Sequence, residues 1–332
     1  MPTLTTNSVQ TNDFPIEIPF QSVKEVKVVE FPLPEKVSEA QMEFSGLAWY
    51  QNKLIMLPQY PDRLKIDGMG QLYVVEKDEI IDYLTNPDED PLEVSFVPFD
   101  DGGLSQSLGK FEGFEGIIFS ENKVFLTIET RDGNPMMGYL VSGAVNGDLE
   151  SITLDPTRII ELPPQADFSN ASDEAITIFN GKIYTIFEDN GSTQNSYPQV
   201  HIFDKNLKPL EELSFPNIEF RVTDATEVGP DGTFWVMNYF YPEDSHLVAD
   251  SDPLAEQYGE GKTHQASDRV ERILQLRIMD NGIILENIAP IQFELLADGE
   301  SRNWEGLVRL DDLGFIAITD KFPKTILGFC PD

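Results

Sequence analysis

EAITIFNGKIYTIFE, residues 174–188, decides how this chain is read. A glutamate is followed by a small residue and an apolar run. A turn comes next, then a second apolar run that ends in Glu188. Two β-branched and aromatic runs joined by a tight turn form a β-hairpin. The same line recurs as SGLAWYQNKLIMLPQ from Ser45, EGIIFSENKVFLTIE from Glu115, TEVGPDGTFWVMN from Thr226 and EGLVRLDDLGFIAITD from Glu305. The leading residues are Ser45, Glu115, Glu174, Thr226 and Glu305. The closing residues are Gln59, Glu129, Glu188, Asn238 and Asp320. Polar residues kept in register at both ends of apolar hairpins call for a physical cause.

Each hairpin is followed by two further strand-like runs. The first unit reads SGLAWYQ, KLIMLPQ, QLYVVEK and EVSFVPF, with IIDYLTNPDEDP intervening before the last. The third reads EAITIFN, KIYTIFE, QVHIFDK and LEELSFP, which makes His201 a strand residue. Four-strand units recurring at roughly 50–80 residues are the mark of a β-propeller. The expected fold is all-β: one five-bladed β-propeller of four-stranded antiparallel blades. Its domain spans 21–332 behind an N-terminal arm at 1–20. The blades fall at about 41–100, 111–163, 170–216, 221–295 and 302–332. The last blade ends one strand short, and the early run SVKEVKVVEF (22–31) supplies the missing strand, so no edge is left open. The segment 240–270 reads as one long loop.

In a propeller the first strand of each blade lines the central channel, and the second returns to the same mouth. The five leading residues therefore form an inner tier, and the five closing residues an outer one. Three carboxylates converging in a channel repel one another and raise their own pKa values. A bound cation relieves this, and an all-oxygen ligand set selects a hard ion, calcium above magnesium. The expected calcium ligands are Ser45, Glu115, Glu174, Thr226 and Glu305. The other reading is that these glutamates are protonated or accept bonds from backbone amides. The fourth register is set by aligning Val228 with Ile117, Ile176 and Leu307. A slip of one would select Ala225 or Glu227, and Asp224 lies close by.

The outer tier is where a substrate would be met. Glu129, Glu188 and Asp320 are the candidate catalytic bases for attack by water. Arg63, Arg131, Asn238, Tyr239, Arg302 and Lys321 are the candidate substrate-binding residues. Cations gathered at one mouth of a chain this acidic favour an anionic small molecule. Taken singly, each of these cations also fits a surface ion pair with Asp62, Asp132 or Asp320.

Composition narrows the partners. Lys and Arg number 23 against 58 Asp and Glu, a formal net charge of −35. Such a chain is repelled by nucleic acid and by anionic membrane surfaces. One cysteine, Cys330, excludes an intrachain disulfide and a cysteine-based metal centre. His201, His246 and His264 show no ligand spacing, and neither a Gly-x-Ser-x-Gly element nor a phosphate-cradling glycine loop occurs. No signal peptide and no membrane-spanning run is visible, and a monomer is expected.

The inner-tier order Ser, Glu, Glu, Thr, Glu resembles the calcium-activated nucleotidases, or apyrases. These are five-bladed propellers that hold one central calcium with a Ser/Glu/Glu/Ser/Glu set. Glu43-Phe44-Ser45-Gly46-Leu47, with the turn before Lys53-Leu54, is similar to their first blade. Asn303-Trp304-Glu305-Gly306-Leu307 followed by Thr319-Asp320-Lys321-Phe322 resembles the Asn-Phe-Glu-Gly-Leu and Ser-Asp-Asn-Phe signature of the phytase-like, esterase-like propellers. Glu115-Gly116-Ile117 is a shorter match. Together these resemblances imply a calcium-dependent hydrolase of a phosphate or other ester. The alternative is a non-catalytic propeller with a structural central calcium that binds a ligand or partner.

Overall fold

The apolar runs form strands where their patterning predicts them. A computed structural model describes residues 23–332 other than 88–89, 132–134, 168–170, 245–246 and 250. The expected arm at 1–20, Asp132 and His246 lie outside the described residues. The early stretch gives β1 (Lys24–Val26) and β2 (Val29–Glu30). The first repeat gives β3 (Phe44–Tyr50), β4 (Lys53–Pro58), β5 (Gly70–Glu76) and β6 (Ser95–Asp100). The second gives β7 (Phe111–Ser120), β8 (Lys123–Thr130), β9 (Met137–Asn146) and β10 (Ser151–Leu162). The third gives β11 (Asp173–Phe179), β12 (Lys182–Phe187), β13 (Gln199–Asp204) and β14 (Leu213–Ser214). The fourth gives β15 (Arg221–Ala225), β16 (Thr233–Phe240), β17 (Val270–Met279), β18 (Gly282–Leu285) and β19 (Ile291–Phe293). The last gives β20 (Trp304–Leu310), β21 (Gly314–Thr319) and β22 (Leu327–Pro331).

The strands pair largely in chain order. The first two repeats join edge to edge, because β6 pairs with β10 in parallel, and the result is one eight-stranded sheet. The third repeat is a four-stranded sheet. The fourth is a six-stranded sheet containing β15 to β19 and β1. The last is β20-β21-β22 closed by β2. The innermost strands touch in a circle: β3 lies against β7, β7 against β11, β11 against β15, β15 against β20, and β20 against β3 again. A circle of radially arranged antiparallel sheets is a β-propeller.

That circle explains why the strands are apolar on both faces. Each gap between neighbouring sheets carries its own core. Ile55 and Leu57 meet Val124 and Leu126. Phe125 meets Ile176 and Ile183. Ile186 meets Val222 and Val236. Met237 meets Leu307 and Phe315. Val308 and Ile316 meet Leu47 and Met56, which completes the turn. Each such side chain stabilises the fold by ~1.5–3 kcal/mol relative to exposure.

Three features depart from the expectation. The run 22–31 is divided between two sheets. Val29 and Glu30 pair with β22, whereas Lys24–Val26 pair in parallel with β19 of the sheet before. The first strand of the fourth repeat is Arg221–Ala225, inside the expected blade of 221–295, and it ends before Thr226, its expected leading residue. The segments read as connectors contain helices: α1 (Lys77–Thr85), α2 (Leu104–Ser107) and α3 (Pro253–Tyr258). α1 opens with Asp78 and Glu79, which favour the positive end of a helix, and it buries Ile80 against the core between the last and first sheets. α3 lies inside the supposed long loop, with Asp252 Oδ1 accepting from Leu254 N at 3.0 Å. Among the described residues no helix is long and apolar enough to cross a membrane.

Candidate active site

In every inner hairpin the first strand carries a bulge near its start, and β7 carries a further one at Glu112. Phe44 faces Pro58 and Gly46 faces Leu57, so Ser45 is the extra residue. Phe114 faces Ile128 and Ile117 faces Leu126, so Glu115 and Gly116 share Thr127. Glu174 and Glu305 are the extra residues of their hairpins by the same pairing. In the fourth hairpin Val222 faces Asn238 and Ala225 faces Val236, which places the extra residue at Thr223-Asp224. A bulge breaks the alternation and re-aims a side chain. Here it puts a polar group where an apolar strand would otherwise continue.

After the first two bulges a glycine is also required. A Cβ on Gly46 would stand 2.8 Å from the Glu115 carbonyl oxygen, and one on Gly116 would stand 2.5 Å from that of Glu174. Ala175 and Asp224 occupy the same position in the third and fourth hairpins. Asp224 Oδ2 accepts from Leu307 N at 2.7 Å, bridging to the last sheet.

The bulge register corrects one expected ligand. Thr223, not Thr226, is the counterpart of Ser45, Glu115, Glu174 and Glu305. Thr223 Oγ1 donates to the Trp304 carbonyl at 2.7 Å, as Ser45 Oγ donates to the Phe114 carbonyl at 2.5 Å. Both hydroxyls thus hold the residue just before a ring glutamate. Thr226 follows the end of β15. Its Oγ1 accepts from Trp235 N at 3.0 Å, and it lines a separate cavity with Trp49, Lys77 and Glu227 at the other end of the inner strands. Aligning Val228 with strand residues fails because 226–232 is a turn and not a strand.

A cavity of about 570 Å³ lies at the bulged mouth, and Ser45, Glu115, Glu174 and Glu305 line it. Burial pushes all three glutamates well above the ordinary carboxylate range. Their neighbours add to this: Glu129 acts on Glu115, Glu188 on Glu174, and Asp320 on Glu305. Glu305 also raises both Glu115 and Glu174, so the repulsion spans the channel. Gln59 Nε2 donates to Glu115 Oε1 at 3.2 Å. Glu174 Oε2 and Glu129 Oε1 are buried and accept no hydrogen bond.

The expected bases occupy different settings. Glu129 and Asp320 line the cavity. Burial raises both, although two backbone amides, those of Lys321 and Phe322, donate to Asp320. Glu188 is only 1 % exposed and ion-paired with Arg221. Burial outweighs that pair and pushes its acid up to about 8.

Of the expected substrate contacts, Arg63, Arg131, Tyr239 and Lys321 line the cavity. Glu43 pairs with both Arg63 and Lys321, the latter at 3.1 Å, and Glu112 pairs with Arg131 at 3.4 Å. Arg63 also lies over the Tyr60 ring at 4.2 Å. Arg302 and Asn238 turn away. Arg302 is 3 % exposed, and its Nε donates to Glu271 Oε2 at 2.8 Å. Trp304 Nε1 donates to the same oxygen at 2.7 Å. Asn238 Nδ2 donates to the carbonyls of Glu219 and Arg221, and its Oδ1 accepts from Arg272 Nε at 2.8 Å. Just before β20 begins, Asn303 lines the cavity, while its neighbours Arg302 and Trp304 both turn to Glu271.

Sequence reasoning missed Arg221, a largely buried cation set among these carboxylates. Burial opposes its charge, but Glu188, Glu174, Asp244 and Glu305 together hold it protonated. It stands two residues before Thr223, as Glu43 stands before Ser45 and Asn303 before Glu305, so the correct register would have exposed it. Tyr60, Tyr241 and Phe322 also line the cavity, with Glu243, Asp244 and Glu300.

The donor chemistry of the mouth was tested against calcium. Every ring side chain offers oxygen, and no His or Cys is among the cavity-lining residues. The buried, unpartnered Glu174 Oε2 fits an ion of this class. The carboxylates nonetheless stand apart, and among the described residues no group of three or more His, Cys, Asp or Glu is disposed to hold a metal ion.

No protein-family model matches the chain, and no curated protein matches it, so neither resemblance gains support there. Solved structures do match. An exo-beta-1,3-galactanase from Phanerochaete chrysosporium aligns at 8 % identity and TM-score 0.49, over 92 % of this chain and 64 % of that one. A putative exo-beta-1,3-galactanase from Bifidobacterium bifidum aligns at 11 % identity and TM-score 0.46, over 92 % and 93 %. The WD40 repeats of RRP9 align at 10 % identity and TM-score 0.36, over 87 % and 67 %.

Proposed function

We propose that the chain is a five-bladed β-propeller that binds calcium at its bulged mouth, and that it is a calcium-dependent hydrolase of a phosphate or other ester. The observation that carries this is Glu174. Its Oε2 is buried without a donor inside a circle of carboxylates that raise one another's pKa. The five bulged hairpins and the closed circle of inner strands support the blade count.

Glu115, Glu174 and Glu305 would hold the ion, with Ser45 and Thr223 completing the ring. Bound there, calcium supplies charge neutralisation and polarises an ester oxygen. The chain's own residues supply the rest. Arg63, Arg131 and Lys321 lie on the loops of the first, second and last hairpins and orient a negatively charged group of a small substrate. Asp320 and Glu129 stand at the cavity wall as bases for the attacking water. Glu188 is buried and engaged by Arg221, so it suits the outer tier as the partner of that guanidinium rather than as the base.

A second reading has its own support. Arg63, Lys321 and Arg131 already have carboxylate partners, as expected of a non-catalytic propeller with a structural calcium that binds a ligand or partner. A panel of nucleoside diphosphates and nitrophenyl esters separates the two readings. The hydrolase reading expects turnover with calcium, none with chelator, and a loss of at least tenfold in Asp320→Asn. No turnover of any panel member would leave the binding reading.

A further inference from the structure

The insertion between β16 and β17 is held to the sheets through a buried imidazole. His264 is 2 % exposed, and its two ring nitrogens have opposite partners. Nε2 lies 3.3 Å from the backbone N of Glu271, which can only donate, so Nε2 accepts. Nδ1 lies 3.0 Å from Glu25 Oε1 and therefore carries the proton. The two neighbours thus fix His264 as the neutral Nδ1–H tautomer. Glu25 is the other half of the anchor. Its Oε1 accepts from Thr263 Oγ1 at 2.6 Å and from Thr263 N at 3.1 Å, and Thr263 Oγ1 in turn accepts from Leu295 N at 2.9 Å. Gly261 makes room for this carboxylate, since a Cβ there would stand 2.5 Å from Glu25 Oε1.

A second proton on this ring finds no acceptor. At Nε2 it would meet the Glu271 N–H head on, leaving two buried donors unpaired. The charged groups that act on the ring are Glu25 on β1 and Arg272 on β17. β19 contributes the uncharged Gln292, whose Oε1 accepts from Gly261 N at 2.7 Å. The Glu271 carboxylate is engaged by Arg302 and Trp304, and Glu260, Lys262 and Asp268 of the insertion are exposed. Burial, with Arg272, holds the His264 pKa below the ordinary 6.5 against the pull of Glu25. Burial also opposes the charge of Glu25, but bonds from Thr263 and His264 keep its pKa below the ordinary 4.5, so it stays ionised where a histidine titrates.

We propose that His264 is an acid-sensitive latch: protonation at Nε2 releases residues 261–267 of the insertion, and β1 with them, from the start of β17. A released ring returns to the ordinary 6.5, while the latched ring protonates only at lower pH. The open form therefore takes up the extra proton. The latched form is fully favoured above about pH 6.5 and loses favour as pH falls below it. The latch stands behind the cavity wall. Arg272, the residue after Glu271, donates through Nε to Asn238 Oδ1, and Asn238 Nδ2 holds the Arg221 carbonyl at 3.0 Å. Arg302, which engages the Glu271 carboxylate, lies beside Asn303 of the cavity. None of Glu25, Thr263, His264 and Glu271 lines the cavity, so the latch is independent of what the cavity binds.

Hydrogen exchange of the full chain in chelator, expressed as protection factors to remove the intrinsic effect of pH, tests the latch. Between about pH 7 and about pH 5 the amides of Thr263, His264 and Glu271 are expected to lose at least fivefold in protection. His264→Gln keeps a donor and an acceptor but cannot titrate, and there the same amides are expected to stay within about twofold. The cavity glutamates shift global stability the other way, so a loss at acid pH confined to these amides is not theirs. Equal protection at both pH values, or the same loss in His264→Gln, would overturn the latch. Should the variant fail to fold, the ring nitrogen resonances of His264 in the unmodified chain decide. A neutral Nδ1–H ring at pH 7 that protonates below about pH 6.5 as protection is lost is expected. A ring that is charged, or in the other tautomer, at pH 7 would overturn it.

Discussion

Thr223 and Ser45 are the residues on which the ring register turns. Each hydroxyl donates to the carbonyl just before a ring glutamate. Thr223→Val leaves the Trp304 carbonyl unpaired and is expected to cost ~1–3 kcal/mol in denaturant unfolding. It should also weaken calcium binding, whereas Thr226→Val should cost stability and leave calcium binding unchanged. Titration follows from the same residues. Glu188 titrates near pH 8 in the folded chain against an ordinary 4.5, and the ring glutamates shift in the same direction. Between those values the folded chain keeps protons that the unfolded chain has released, so stability falls as pH rises. In chelator, the melting temperature should therefore decline from about pH 5 to about pH 8. Calcium should flatten that decline. A chelator curve that rises over this window would contradict the shifts. The polar ends of the hairpins were legible in the sequence because only a bulge needs them. Thr223 was not, because Thr226-Glu227-Val228 imitates the polar-then-apolar start of the other hairpins.

At the scale of elements, the bulged hairpin is the unit of the site. At Gly46 and Gly116 the residue after the bulge must be small, since the neighbouring backbone passes within a side chain's reach. Gly116→Ala is expected to destabilise by ~1–3 kcal/mol, as an overpacked core contact does. Behind the last hairpin runs a buried polar chain. Glu271 accepts from Arg302 and Trp304, and its backbone N–H donates to His264 Nε2 at 3.3 Å. His264 Nδ1 lies 3.0 Å from Glu25 Oε1. This chain ties β1 and the 253–267 insertion to the residue beside Glu305. Arg302→Met would leave the buried Glu271 without its cation, with only the Trp304 side chain and the backbone amide of residue 302 donating to it, at an expected cost of ~3–5 kcal/mol. A loss below 1 kcal/mol would show that the pair is dispensable. Arg302 could not be assigned from sequence alone, because its partner Glu271 lies in another repeat and only the fold brings them together.

The whole molecule holds through its closure. The described chain begins by pairing with its last sheets, and the innermost strands complete a circle. This much was legible, because a repeat that ends one strand short predicts a donor elsewhere. The division of 22–31 between two sheets was not, because two short β-branched runs read as one strand. The mouth concentrates acidic groups in a chain of net charge −35. The most direct measurement is calorimetric titration of the chelator-treated full chain with calcium. A binding event is predicted in the unmodified chain, with its loss in Glu174→Gln. The same heat of binding in both chains, or none in either, would contradict a calcium ring.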